Sequence, residues 1–216
     1  MHSAASSERD ELSQEPASPE FEHGSGDDAS DEWLMVAFAR GGRDAPAAFG
    51  VLFQRYKQRI FGFFRRRITD EAQAEELTQE CFLAVVRGAM RYQPEALFRT
   101  YLYAIALKMV QAYRRKMLFR GMFLGVAKSA DEPAAANGID AEIALRQAMG
   151  KLNRMDREVL MLREYEELSY GEIAELLAIP VNTVRSRLFR ARIALREILT
   201  APADAKSELM PVEVRK

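Results

Sequence analysis

The chain has 216 residues, 48% of them hydrophobic, which is enough for one or two compact domains. A lone cysteine, Cys81, excludes an internal disulfide framework and fits a reducing cytoplasm, and we expect it to be a buried structural thiol. The only histidines, His2 and His23, lie in a polar tail, so no Cys/His metal site is supported. Because we find no signal peptide and no apolar run that could span a bilayer, we expect a cytoplasmic protein without a membrane partner.

The net charge of -1 conceals a strong asymmetry along the chain. Residues 1–32 contain ten acids and one arginine, a net charge of -9, and residues 33–216 carry a net charge of +8. This division suits a nucleic-acid binder with an acidic arm. We predict that residues 1–30 are disordered. The arm is either a solubilising tail or a screen for the basic surface.

The first predicted domain, residues 31–120, begins with two short-linked helices. Asp31 is expected to cap the first, which Gly41 ends, and Asp44 is expected to cap the second. Helical spacing in the second helix predicts an aromatic and aliphatic core stripe: Phe49, Leu52, Phe53, Tyr56, Ile60, Phe63 and Phe64. The triplet 65–67, three arginines, is expected to close that helix at its negative end. Contact of the triplet with nucleic acid is an alternative that the pattern does not require.

A third helix is predicted from a capping box formed by Asp70 and Gln73. Its inner face consists of Leu77, Cys81, Ala84, Val85 and Gly88. The outer face is acidic, with Glu75, Glu76, Gln79 and Glu80. Spacing alone favours a solvated surface there.

A long helix is predicted from about Glu95 to Phe119, with Phe98, Leu102, Ile105 and Met109 on its inner face. Aromatic and cationic side chains alternate along it: Tyr101, Tyr103, Lys108, Tyr113, Arg114, Arg115 and Lys116. That mixture suits single-stranded DNA, because any base can stack on a ring while cations hold the backbone, but it also occurs on ordinary helix surfaces. Residues 121–138 are predicted to be a flexible linker, with 122–124 as an alternative extension of the first core.

The second predicted domain, residues 139–200, ends in two helices separated by a short break at Ile179 and Pro180, and a loose tail, 201–216, follows it. So short a break predicts a helix-turn-helix. The second helix begins near Val181 and buries Val184, Leu188, Ala191, Leu195 and Ile198. Its outward side carries Asn182, Ser186, Phe189, Arg190 and Ile193, with Arg185 on the flank.

Five arginines accompany one acid between Val181 and Leu199. Guanidinium groups suit phosphate and guanine, so this helix is predicted to enter a DNA major groove. A solvated basic face is the alternative. An exposed Phe189 indicates contact with a thymine methyl group or with a partner protein.

Residues 152–199 resemble region 4 of the bacterial sigma factors, most closely the extracytoplasmic-function group. The resemblance rests on four segments: Met155-Asp156-Arg157-Glu158-Val159-Leu160, Leu168-Ser169-Tyr170, Glu172-Ile173-Ala174 and Thr183-Val184-Arg185-Ser186-Arg187-Leu188. It implies an all-α protein in which two small helical domains, region 2 and region 4, flank the linker. It also implies that the second helix of region 4 contacts the minus-thirty-five promoter element through Asn182, Thr183, Arg185, Ser186, Phe189 and Arg190.

The same resemblance assigns roles to the first domain. Residues 73–82 match the segment of region 2 that docks onto the clamp helices of the largest polymerase subunit, which implies docking through Glu75, Glu76, Gln79 and Glu80. The minus-ten element would be captured and opened by Arg91, Tyr92, Tyr101, Lys108, Tyr113, Arg114 and Arg115. The implied partners are core RNA polymerase, including the flap of its second subunit, promoter DNA and an anti-sigma factor.

The long helix departs from the family pattern at five positions. Tyr101 replaces the usual tryptophan, Ala104 and Leu107 stand where arginines are common, Lys108 replaces asparagine, and Ala112 replaces aspartate. These changes affect the expected sequence preference and melting strength at the minus-ten element, whereas the core spacing survives.

Two alternatives to an initiation factor remain at the level of sequence. The altered residues favour a sigma mimic that sequesters an anti-sigma factor without binding promoter DNA, and the arginine-bearing helix opposes it. A stand-alone repressor or activator would leave the acidic face of the first domain unexplained. The folded part has no phosphate-cradling glycine loop and no Ser/His or Cys/His pair, so neither an enzyme nor a cofactor is expected.

Overall fold

The computed structural model describes residues 29–95, 97–124 and 140–200. Within these ranges the chain forms eight α-helices and one short 3-10 turn and no strand, which confirms the all-α fold. The helices are α1 (Asp31–Arg40), α2 (Ala45–Arg65), α3 (Glu71–Gly88), α4 (Phe98–Leu124), α5 (Asp140–Lys151), α6 (Arg154–Glu164), α7 (Tyr170–Leu177) and α8 (Val181–Thr200), with the turn at Ala89–Arg91. Of the predicted linker 121–138, residues 121–124 continue helix α4, and residues 125–138 lie outside the described residues. The predicted acidic tail up to residue 28 and the tail 201–216 also lie outside them.

The start of α1 differs from the prediction by one residue. Ser30, and not Asp31, is the N-cap, and its hydroxyl accepts a hydrogen bond from the amide of Trp33 at 3.2 Å. The carboxylate of Asp31 instead accepts hydrogen bonds from the Arg55 guanidinium, at 2.6 Å, and from the Tyr56 hydroxyl. Asp31 therefore holds α1 against α2, in the first turn where a negative charge also suits the helix dipole.

The other predicted helix starts are partly as expected. Asp44 occupies the N-cap of α2 without a capping hydrogen bond from its side chain. Asp70 accepts a hydrogen bond from the Gln73 amide at 3.4 Å, but the Gln73 side chain donates to Glu76 and does not complete the box. Helix α4 begins three residues later than predicted, at Phe98, whose amide donates to the Glu32 carboxylate at 3.0 Å.

Helices α1 to α4 bury one aromatic core. The rings of Phe63 and Phe64 meet edge to face with centroids 5.5 Å apart, and Phe98 meets Tyr56 in the same way at 5.5 Å. Cys81 lies in this core, where burial raises the pKa of its thiol to about 12. The thiol is therefore neutral and structural, as predicted.

Helices α5 to α8 form a smaller body around aliphatic side chains. The fully or almost fully buried members are Val159, Leu162, Leu168, Ile173, Val184, Leu188 and Ala191. This core fixes α7 and α8 against α6 and leaves the opposite side of α8 exposed.

An ionic network joins the two bodies through the end of α2. Arg67 donates to Glu158 through Nε and Nη2 at 3.0 and 2.8 Å, and through Nη1 to Glu166 at 3.4 Å. The Arg66 Nη2 group donates to both carboxylate oxygens of Glu166, at 2.9 and 3.0 Å, and the Tyr103 hydroxyl donates to Glu166 at 3.2 Å. The side chains of Arg67 and Glu166 are each 1% exposed, so these charges neutralise one another away from water.

A second ionic contact joins α4 to α7. The Arg99 guanidinium donates to the two oxygens of Glu172 at 2.9 and 2.7 Å, in the bidentate geometry that guanidinium and carboxylate groups favour. Glu172 also accepts from the Ser169 amide at 2.8 Å, while its own amide donates to the Ser169 hydroxyl at 3.2 Å. Glu172 therefore starts α7 through a capping box and fastens it to the first domain.

This interface changes two predictions. Arg66 and Arg67 lie at the end of α2 as predicted, and Arg67 donates to the Phe63 carbonyl at 3.0 Å. Both also pair with glutamates of the second domain, and Arg67 is too buried to contact nucleic acid. Tyr103 was expected among the DNA-facing aromatics of α4, and it is buried beside Glu166. Both corrections follow from packing between the domains, which helical periodicity does not encode.

The first prediction concerns pH and Glu172. Burial opposes ionisation of this carboxyl, but hydrogen bonds from Ser169 and the Arg99 guanidinium outweigh burial and lower its pKa below the ordinary 4.5. A lowered pKa stabilises the native state above pH 4.5, and this contribution is lost as the pH falls through the native value. Glu172→Gln should therefore flatten the acid limb of the free energy of unfolding, measured by urea denaturation from neutral to acid pH. Glu175→Gln, an exposed acid on the same helix, is the control. Parallel acid limbs for wild type and Glu172→Gln would contradict the assignment.

Candidate nucleic-acid and polymerase interfaces

Helices α7 and α8 meet through a three-residue turn, as the sequence predicts. Ala178 ends α7 in the left-handed conformation, with φ 52° and ψ 46°, and its amide bonds back to the Ala174 carbonyl. Ile179 also donates to the Ala174 carbonyl, at 3.0 Å. The Pro180 carbonyl accepts from the amide of Val184 at 3.1 Å, which starts α8. A helix-turn-helix thus forms without glycine at the turn, at the cost of a strained alanine.

The predicted DNA-facing side of α8 lies in solvent. Asn182, Arg185, Ser186, Phe189 and Arg190 are exposed. Phe189 is the extreme case, with 67% of its surface exposed although it is aromatic. Thr183, the sixth predicted contact, is half-buried, and its carbonyl accepts the Ser186 hydroxyl at 3.0 Å. The helix therefore presents one apolar ring between cationic and polar groups.

The arginines of α8 are less free than the sequence indicated. Arg187 donates to Asp156 at 2.7 Å, the Nε atom of Arg190 lies 3.7 Å from the same carboxylate, and Arg192 pairs with Glu164 at 2.7 Å. The remaining two, Arg185 and Arg196, are exposed and form no ion pair with the described residues. Acids on α6 thus offset part of the charge of α8. The sequence contained those acids but no signal that placed them beside α8.

The predicted minus-ten residues divide into an aromatic pair and a cationic stripe. The rings of Tyr92 and Tyr101 lie 5.3 Å apart, and Tyr101 packs over Gly88, where a β-carbon would come within 2.5 Å of its hydroxyl. Lys108 and Arg115 are exposed. They follow Tyr101 at intervals of seven residues, about two helical turns, so the three residues share one face of α4.

The remaining minus-ten candidates lie apart from that stripe. Arg91 is exposed beside the turn that ends α3, and Tyr113 and Arg114 are half-buried on a different side of α4. The structure therefore brings together only part of the predicted set.

Tyr92 and Tyr101 are neutral at physiological pH. Burial, with the nearby carboxylates of Glu32 and Asp31, raises the pKa of Tyr92 to about 12, and burial also raises the pKa of Tyr101. A neutral phenol can stack on a base and donate a hydrogen bond without repelling phosphate.

Two substitutions that depart from the family pattern have different surroundings. Leu107 is buried, with 6% exposure, so its side chain belongs to the core. Ala112 is exposed on the outer side of α4. Packing in the core thus accounts for an apolar residue at position 107, where the resemblance implies a cation.

The acidic face of α3 is fully exposed. Glu75, Glu76, Gln79 and Glu80 lie in solvent on one side of the helix, as predicted. The same side continues into exposed apolar residues that sequence reasoning missed: Leu83, Val86 and Met90, the last 83% exposed. These three residues are spaced by three and four positions, which in a helix places them on one face separate from the buried face. The sequence could therefore have indicated an exposed apolar strip, but apolar residues in a helix are usually assigned to the core.

Neither a metal nor a membrane site emerges from the described residues. In 29–95, 97–124 and 140–200 no group of three or more histidine, cysteine or acidic side chains could hold a metal ion. Across the same part of the chain, every helix is too short or too polar to cross a bilayer.

Comparison with known proteins agrees with this architecture. The family models described as "Sigma-70 region 2" and "Sigma-70, region 4" match residues 52–117 and 142–195. The RNA polymerase sigma-H factor of Pseudomonas aeruginosa is 31% identical over 186 residues, which cover 78% of this chain and 93% of that protein. The ECF RNA polymerase sigma factor SigC of Mycobacterium tuberculosis is 30% identical over 172 residues, 78% of this chain and 91% of its own.

Solved structures show the same fold. CnrH, in complex with the cytosolic domain of CnrY, superposes with a TM-score of 0.63 at 25% identity, covering 81% of this chain and all of that one. The sigma factor RpoE of Bartonella quintana, in complex with the anti-sigma factor NepR, gives 0.57 at 21% identity over 71% of this chain and 97% of its own. The chain belongs to the extracytoplasmic-function group of the sigma-70 family.

Proposed function

We propose that this chain binds core RNA polymerase and directs it to promoters, with α3 as the docking helix, α4 as the minus-ten surface and α8 as the minus-thirty-five surface. The observation that carries the proposal is the separation of charge: an exposed acidic face on α3 and exposed cationic faces on α4 and α8. A transcription factor of this kind needs no catalytic group of its own, because the polymerase supplies the chemistry of RNA synthesis.

Duplex recognition is assigned to α8. A helix fits the major groove, where arginine pairs with guanine and an apolar ring contacts the thymine methyl group. Arg185 and Phe189 supply these two contacts, four residues apart on one face. Asn182, Ser186 and Arg190 lie on the same exposed side and add contacts to bases or phosphates.

Single-strand capture is assigned to the Tyr92–Tyr101 pair with Lys108 and Arg115. The 27-residue helix α4 contains no acid, so its exposed cations between Lys108 and Arg120 attract the phosphate backbone. The tyrosine pair at one end offers a ring on which an unstacked base can lie. Opening of the duplex then requires binding alone, because released bases are held by stacking.

Docking is assigned to the exposed face of α3 from Glu75 to Val86, together with Met90 of the turn that follows. Its acidic half steers the chain toward basic polymerase side chains, and its apolar half, Leu83, Val86 and Met90, supplies area that gains free energy when water is excluded. An anti-sigma factor is a further partner in the proposed function, since the sigma factor RpoE of Bartonella quintana forms a complex with the anti-sigma factor NepR.

The minus-thirty-five assignment predicts a base-specific effect for Arg185. Arg185→Ala should cost ~1–3 kcal/mol on the cognate duplex and relax the preference at one base pair. Arg196→Ala, three turns further along α8, is the matched arginine control and should weaken all sequences alike. Holoenzyme binding to a library of minus-thirty-five variants measures both. An Arg185→Ala profile with the wild-type preference would remove Arg185 from the base-reading set.

The docking assignment predicts a charge-reversal effect on α3. Glu76→Lys with Glu80→Lys should weaken capture by core polymerase at least about tenfold, because close like-charge contacts at an interface cost several kcal/mol. The side chains are exposed, so the melting temperature should change little. Glu175→Lys with Glu197→Lys makes the same change of net charge at exposed positions of the second domain. Equal polymerase binding by the two double variants would refute docking through α3.

A further inference from the structure

Asp156 of α6 lies against α8, the predicted DNA-reading helix, and contacts two of its arginines. Its side chain is 14% exposed, its Oδ1 atom accepts from Arg187 Nη1 at 2.7 Å, and its Oδ2 atom lies 3.7 Å from Arg190 Nε. Each carboxylate oxygen thus faces one arginine of α8. The Arg190 side chain is 57% exposed, so most of it remains accessible beside the carboxylate.

The two arginines that pair with Asp156 differ in their exposure to solvent. Arg187 is turned inward, with 27% exposure and a buried Nε. Arg190 keeps an exposed outer edge beside Phe189. Pairing removes positive charge that would otherwise bind any phosphate, and it restricts the rotamers of Arg190 before DNA arrives.

We propose that Asp156 is a positioning residue for promoter recognition: it holds Arg190 toward the base edges and suppresses non-specific binding by α8. This inference rests on the proposed function of α8. It concerns selectivity in particular, since a residue that merely stabilised the fold would affect all DNA sequences alike.

Asp156→Asn tests the role with almost no change of shape. In the full chain bound to core polymerase, the ratio of affinities for cognate and scrambled minus-thirty-five duplexes should fall about tenfold. Affinity for the scrambled duplex should rise, and its dependence on salt should steepen by about one in log–log slope, because a phosphate-binding cation is released. Asp156→Glu should restore the salt slope.

Glu164→Gln is the matched control, since it removes one α6 carboxylate that also pairs with an α8 arginine. An unchanged affinity ratio for Asp156→Asn, or an equal fall for Glu164→Gln, would overturn the proposal. A uniform loss on both duplexes would also overturn it, because that result indicates a structural role. If the wild-type chain itself shows no cognate preference, the proposed function of α8 fails instead.

Discussion

The buried charge of Arg67 constrains the arrangement of the whole molecule. A guanidinium with 1% exposure requires anionic partners, and both of them, Glu158 and Glu166, come from the other domain. Glu166 in turn is satisfied by Arg66 and Tyr103. Because each charge depends on the next, the ends of α2 and α4 are held in one relation to α6 and α7 for as long as the domains remain in contact.

Charge pairing also determines which surfaces stay available for partners. On the side of α4 that carries Tyr101 and Lys108, the helix has no acidic residue to offset its cations. On α8, Asp156 and Glu164 engage three of the five arginines, and Arg185 is left exposed beside Phe189. On α3 the acids point into solvent and continue into an apolar strip. Internal ion pairs neutralise other charged groups, and the acidic surface of α3 therefore stays distinct from the cationic surfaces of α4 and α8.

Most of the local structure could be predicted from the sequence, and most of the long-range pairing could not. The helices, the turn at Ala178 and the buried stripe of Val184 and Leu188 follow from apolar periodicity and from proline, which act over a few residues. The roles of Arg66, Arg67 and Tyr103 depend on glutamates about 60 to 100 positions away. No spacing rule relates such residues, so the sequence placed the basic triplet correctly at the end of α2 but did not indicate its partners in the second domain.

The functional surfaces show the same division. The exposure of Arg185, Phe189 and the α3 acids follows from helical spacing, and the resemblance to sigma regions 2 and 4 assigned them partners. The engagement of Arg187 and Arg190 by Asp156 was not predictable, because it depends on how α6 crosses α8. Likewise, Leu107 could be compared with a family pattern only as a missing cation, whereas in the fold it is a core residue.

The central claim is that the separated charged surfaces make this chain an initiation factor. It is tested most directly by run-off transcription with purified core polymerase, the full-length chain and a pool of genomic fragments. The account predicts transcripts that begin at a fixed distance from a shared pair of sequence elements and appear only when the chain is present. If the chain joins core polymerase at no concentration tested, or directs it to no defined start site, the account is wrong.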